Sequence, residues 1–156
     1  MPNELRTPLS IPAPEQIISR DVLVSSAELL ALNATPKTLI PAPGASLALV
    51  FEGAVIHKPA GTAYAGIAAG EHLSVKYTDG SGTQVTEAES DGFLDQATAQ
   101  TRYLRPFNAA SGDAAVNPTA NAALVLHLLT GEITTGNSAL HVRVFYRVIP
   151  AYAFAS

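Results

Sequence analysis

Apolar and polar residues alternate most regularly near the end of the chain. Leu140, Val142, Val144, Tyr146 and Val148 are separated by His141, Arg143, Phe145 and Arg147. A period of two is that of a strand with one buried face. Leu73, Val75 and Tyr77 alternate in the same way with Ser74 and Lys76. So do Leu47, Leu49 and Phe51, and residues 55–57 continue that strand beyond a bulge or turn at Gly53. Residues 22–26, with β-branched Val22 and Val24, fit a short strand, and residues 122–129 form an apolar strand interrupted only by His127. Asp79-Gly80-Ser81-Gly82 predicts a hairpin turn into residues 83–87. Residues 27–32 fit a helical turn and a strand equally well. Residues 91–103, capped by Ser90, are the best helix candidate, against the cost of Gly92, Thr98 and Thr101. Residues 108–121 read as a loop. The sum is seven or eight short strands with one short helix at most and no alternation of strands with helices. That predicts an all-β chain, a jelly-roll-like antiparallel β-sandwich.

The last two strands invite pairing as a hairpin centred near Thr134. Leu124 then faces Val144, Leu126 faces Val142 and Leu128 faces Leu140, all on one face. On the other face His127 stands opposite His141, and Val125 opposite Arg143. At the other end, Pro2, Pro8, Pro12 and Pro14 remove backbone donors and favour an extended course. The predicted organisation is an extended N-terminal arm, residues 1–20, followed by a β-sandwich domain, residues 21–156. Leu9, Ile11, Ile17 and Ile18 would supply the apolar contacts of the arm.

Composition narrows the function. Of 156 residues, 47% are hydrophobic, enough for a real core. Only 14% are charged, against about 25% in a typical globular chain, which suits a surface covered by partners. Lys and Arg total 9, the net charge is −4, and no basic cluster exists, so direct nucleic-acid binding is not expected. Nor is a membrane: no polybasic or amphipathic segment is present, and no apolar run reaches the roughly 18 residues of a spanning helix. The first ten residues lack the order of a secretory signal, so the protein is expected in a cytoplasm before assembly. The chain has no Cys, which removes disulfides, thiolate metal sites and Cys nucleophiles.

Catalytic signatures are missing. There is no GxGxxG, Walker loop, HExxH or GxSxG. The Gly-rich 80–82 stretch sits at a hairpin tip, without the helix N-terminus that a phosphate cradle needs. His127 and His141 are the best metal pair, but no third ligand joins them, and a pH-sensitive contact suits them better. His57 and His72 read as surface residues beside Lys58 and Glu71. Asp79, Glu87, Glu89, Asp91 and Asp95 lack the ligand order of an EF-hand and read as a solvated acidic face. No catalytic residue, cofactor or metal is expected. Arg102-Tyr103-Leu104-Arg105-Pro106-Phe107 mixes base with aromatic residues as protein interfaces do. The interface candidates are therefore Leu9, Ile11 and Ile17 on the arm and Tyr103, Arg105 and Phe107 on this segment.

Taken in order, several segments carry a resemblance. They are Leu29-Leu30-Ala31-Leu32-Asn33-Ala34-Thr35-Pro36, Leu39-Ile40-Pro41-Ala42-Pro43-Gly44-Ala45, Leu73-Ser74-Val75-Lys76-Tyr77, and Thr134-Thr135-Gly136-Asn137-Ser138-Ala139-Leu140 running into Val142-Arg143-Val144-Phe145-Tyr146. With them the chain resembles tailed-bacteriophage virion structural proteins of the capsid decoration, or cement, type. The resemblance implies a non-enzymatic jelly-roll, often a homotrimer, seated on the major capsid protein at the capsid exterior of the virion. The alternative is a tail-fibre or baseplate module that binds carbohydrate or a receptor.

Overall fold

The computed structural model describes residues 16–106, 116–129 and 133–151. The described residues form eight strands and one short helix: β1 (Ile18–Val24), α1 (Ser26–Leu30), β2 (Lys37–Ile40), β3 (Leu47–Lys58), β4 (His72–Tyr77), β5 (Gln84–Glu89), β6 (Gln100–Leu104), β7 (Leu124–Leu128) and β8 (Leu140–Pro150). The chain is all-β. Its strands make two four-stranded antiparallel sheets, ordered β1-β8-β3-β6 and β2-β7-β4-β5. The pairs are nested along the chain: β1 with β8, β2 with β7, β3 with β6, and β4 with β5. Two further pairings, β3 with β8 and β4 with β7, join these ribbons into sheets.

Alternation explains the strands. In β8, Leu140, Val142 and Val144 are buried while His141 and Arg143 are exposed. Ile56, Ala54 and Phe51 of β3 join them on the inner side, with Glu52 displaced at a bulge where the register shifts between Phe51 and Gly53. The second sheet contributes Leu73, Val75, Tyr77, Val85, Leu124, Leu126 and Leu128 to the same hydrophobic cluster. Burial of this shared apolar surface is the main force holding the two sheets. A polar tie crosses between them: the Tyr77 hydroxyl on β4 donates to the Leu49 carbonyl on β3 at 2.6 Å. The Tyr64 hydroxyl likewise donates to the Ser138 carbonyl. Burial pushes both phenols up to about 12.

Helix α1 is a single turn set by its cap. Ser25 and Glu28 form a reciprocal capping box, and Lys37 donates to Glu28 at 2.5 Å. The Lys37 contact and then the Ser25 amide hold the Glu28 carboxyl down to about 2. The turn buries Leu29 and leads through Leu32, also buried, into β2.

Two sequence expectations are overturned. The helix over residues 91–103 does not form. Gly92 takes φ +72°, a left-handed position inside the turn that the Phe93 and Leu94 amides close onto the Ser90 carbonyl, and a helix cannot run through it. Residues 100–104 instead pair with β3, because Leu104 is buried there and Arg102 finds specific partners. The Arg102 guanidinium donates to the Gly92 carbonyl at 2.8 Å and lies 5.4 Å from the centre of the Phe93 ring. The second correction concerns the hairpin of the last two strands. β7 lies between β2 and β4 in one sheet, and β8 lies between β1 and β3 in the other. All five β7 residues are buried, so both faces of β7 are covered, whereas the expected hairpin left Val125 and His127 on an outer face. The hairpin from β4 through residues 79–82 into β5 forms as expected. There the Asp79 carboxylate accepts from the Ser81 amide at 2.8 Å, and a side chain at Gly82 would meet the Tyr77 carbonyl at 1.6 Å.

The first strand begins at Ile18, so residues 18–20, read from the sequence as arm, are hydrogen-bonded to β8. Leu9, Ile11 and the rest of residues 1–15 lie outside the described residues, as does Phe107.

Tyr77→Phe removes a buried bond between the sheets and should lower unfolding free energy by about 1–2 kcal/mol. Urea denaturation checks this. An unchanged midpoint would mean that the two sheets do not depend on this tie.

Candidate functional site

The inner side of the β1-β8-β3-β6 sheet faces the core, so its other side is where the protein can meet something else. Strand register lines up the outward residues into rows that cross the sheet. Leu23, His141, His57 and Thr101 make one row. Asp21, Arg143, Val55 and Tyr103 make the next, and Ser19, Phe145 and Gly53 the third. A shallow depression of about 680 Å³ runs over the face, lined among others by Leu23, Val55, His141, Arg143 and Phe145.

Each row has its own chemistry. In the second row Arg143 donates from Nε and Nη2 to the two carboxylate oxygens of Asp21, at 2.7 and 2.8 Å. The hydrogen bond from Arg143 holds the Asp21 carboxyl below its ordinary value. This fork fixes the orientation of two charges that stand in solvent. Tyr103 is 56% exposed and Leu23 55%, large apolar side chains that the fold leaves uncovered. Tyr103 reaches across Gly53: a Cβ there would sit 2.7 Å from its hydroxyl, and Gly53 has φ +150°. A side chain at this position would thus conflict both with Tyr103 and with the bulged backbone.

In the first row two histidines face each other across β3 and β8. Their ring centres are 6.4 Å apart and tilted by 47°. Nδ1 of His57 lies 2.9 Å from Thr101 Oγ1. Sequence reading set His57 apart as a lone surface residue and placed Thr101 in a helix. The alternation Val55, His57 was the available signal for one outward face, but nothing local names β8 as its neighbour.

The residues singled out from the sequence divide. Tyr103 stands on the face, Arg105 is exposed just beyond β6, and Ile17, 56% exposed, precedes β1 at the sheet edge. Arg102 is drawn toward Phe93 and Gly92 and does not join them. His127 and His141 are not a pair. His127 stands on β7 opposite Ser74, in the other sheet. It is 7% exposed, with Nε2 3.1 Å from the Asn33 carbonyl. Gly80 of the β4–β5 turn packs so close that a Cβ there would lie 2.8 Å from Nε2.

Comparison with known proteins adds no neighbour: no family model, no curated protein and no solved structure matches the chain.

Burial, and then the charge of Lys76, push the His127 imidazole below its ordinary value of 6.5, against the opposing pull of the Asn33 bond and Asp79. A folded-state value below the unfolded one means that the unfolded chain binds the proton first. His127 therefore contributes stability that is complete above about pH 6.5 and is lost as pH falls from there through its folded value. Glu28, held down to about 2, contributes stability that is lost only as pH falls below its ordinary value of 4.5. Thermal melts should show the midpoint falling as pH drops from about 7 to 5, and His127→Gln should flatten that slope. The same slope in the variant would assign the dependence to other groups.

Proposed function

We propose that this protein is a jelly-roll β-sandwich that acts by packing, not by catalysis, as a decoration protein on the outside of a tailed-phage capsid. The reading is carried by the outer face of the β1-β8-β3-β6 sheet. Its exposed Leu23 and Tyr103, its Phe145 and Val55, and its one paired Arg–Asp fork match the make-up of protein interfaces, which favour Tyr, Phe and Arg over unpaired Lys and Glu. Single exposed apolar side chains are ordinary; here Leu23, Val55, Phe145 and Tyr103 share one face of one sheet.

The nested pairing supports the fold part of the reading. When an antiparallel ribbon of eight strands is rolled over itself, first pairs with last, second with seventh, and so inward. All four such pairs are present. The partner, a major capsid protein, and a homotrimeric state come from the sequence resemblance. The physical logic is that of a stiff block applied many times. Each contact to a lattice subunit can be weak, because repeated sites add up. The edge at β1, where Ile17 and Ile18 are exposed, is where the arm would extend the contact.

One observation favours the second reading, a carbohydrate- or receptor-binding module. Tyr103 reaches over Gly53, and Phe145 is the register partner of that glycine on β8, so two aromatic residues flank a bare stretch of backbone. Binding on a glycan array would select it.

The test combines Leu23→Glu with Tyr103→Ala. Both side chains are more than half exposed, so the variant should fold with an unchanged melting temperature. Its co-sedimentation with capsids assembled from the major capsid protein of the same genome should weaken about tenfold or more. Occupancy equal to that of the unaltered protein would remove this face as the docking surface, and no co-sedimentation of the unaltered protein would remove the capsid assignment.

A further inference from the structure

We propose that His57 and His141 form a binding site for a divalent transition-metal ion of the imidazole-preferring class, with Zn²⁺, Cu²⁺ and Ni²⁺ as its members. Three observations carry it. First, the two residues are direct register partners on β3 and β8, and alternation turns both outward, so their imidazoles leave the same face side by side. Second, their ring centres are 6.4 Å apart. An ion bonded to two imidazoles at about 2.0–2.1 Å holds the ring centres roughly 5–6 Å apart. A side-chain rotation of exposed His141 closes that difference without moving the strands.

Third, His57 already has the outer support that ligating histidines use. In the tautomer whose Nδ1–H donates to Thr101 Oγ1, 2.9 Å away, Nε2 keeps its lone pair and carries no proton. Metal-bound histidines are commonly fixed in this way, one ring nitrogen on the ion and the other held by an oxygen acceptor. Thr101 is the next residue in the same row, on β6, so the sheet itself places this support beside the ring.

The local charge permits a cation. Arg143, one row away, is forked onto Asp21, which balances its charge. Among the described residues no third His, Cys, Asp or Glu completes a cage. The protein thus offers two ligands, and the ion keeps open positions for water or for a donor on whatever meets this face. Imidazole nitrogen selects Zn²⁺, Cu²⁺ and Ni²⁺ over Mg²⁺ and Ca²⁺, which prefer oxygen. The site does not rest on the decoration reading, since the two rings chelate an ion whether or not a capsid lies above them.

The experiment is a Zn²⁺ titration of the untagged full chain, followed by calorimetry and by the histidine ring signals in NMR spectra. Saturable binding is expected, with the His57 and His141 signals moving together and Mg²⁺ without effect. His57→Gln and His141→Gln should each weaken binding at least tenfold. Thr101→Val, which keeps both ligands and removes the outer support, should weaken it by about tenfold. Circular dichroism confirms that each variant is folded. An absence of saturable shifts at these two rings, or an affinity in both glutamine variants equal to that of the unaltered protein, overturns the proposal. These outcomes are read without capsids, so they are distinct from failure of the docking face.

Discussion

Strand β8 is the constraint on which the rest of the arrangement depends. It is hydrogen-bonded along both edges, to β1 and to β3. A central strand has no freedom to slip, because a one-residue shift would move Leu140, Val142 and Val144 into solvent and His141 and Arg143 into the core. Its register with β1 brings Asp21 opposite Arg143, and its register with β3 brings His57 opposite His141. The same pairing that buries the core therefore composes the outer face. The bulge at Glu52 adjusts β3 to β8 and leaves Gly53 beneath Tyr103.

The second sheet plays a different part. Its central strand β7 is buried along its whole length, and its polar residue His127 is enclosed by the Asn33 turn and the β4–β5 hairpin tip. Lys76 donates to the Gly80 carbonyl in that same tip at 2.5 Å. The polar groups here are engaged with backbone, which suits a supporting layer. On the first sheet Asp21 and Arg143, and His57 and Thr101, face outward and bond to each other. The first sheet therefore offers the open face, and the second holds that sheet in shape through the core and the Tyr77 tie.

How much of this was legible follows from the range of each interaction. The strands 47–58, 72–77 and 140–150 announce themselves, because a period of two needs only neighbours in sequence. The β4–β5 hairpin is legible for the same reason, with the turn chemistry of Asp79 to Gly82 between its arms. The false helix over 91–103 shows the limit. Its propensities were indifferent, and what decided the matter was Leu104 reaching the core and Arg102 reaching Phe93. Tyr103 was singled out for its composition, yet its exposure comes from β6 lying at a sheet edge.

The sequence by itself determined that the chain is all-β, which face of each clear strand is buried, and that few charges cover its surface. These depend on alternation and composition, which are local. Only the tertiary structure decided partners. Alternation states which way a side chain points but is silent on the strand beside it, so His141 paired equally well on paper with His127. The partner was chosen by the shared core: β7 lies between β2 and β4 with both faces covered, and β8 lies between β1 and β3 with one face open. That choice, made by the shared core, put His57, His141 and Thr101 in one row.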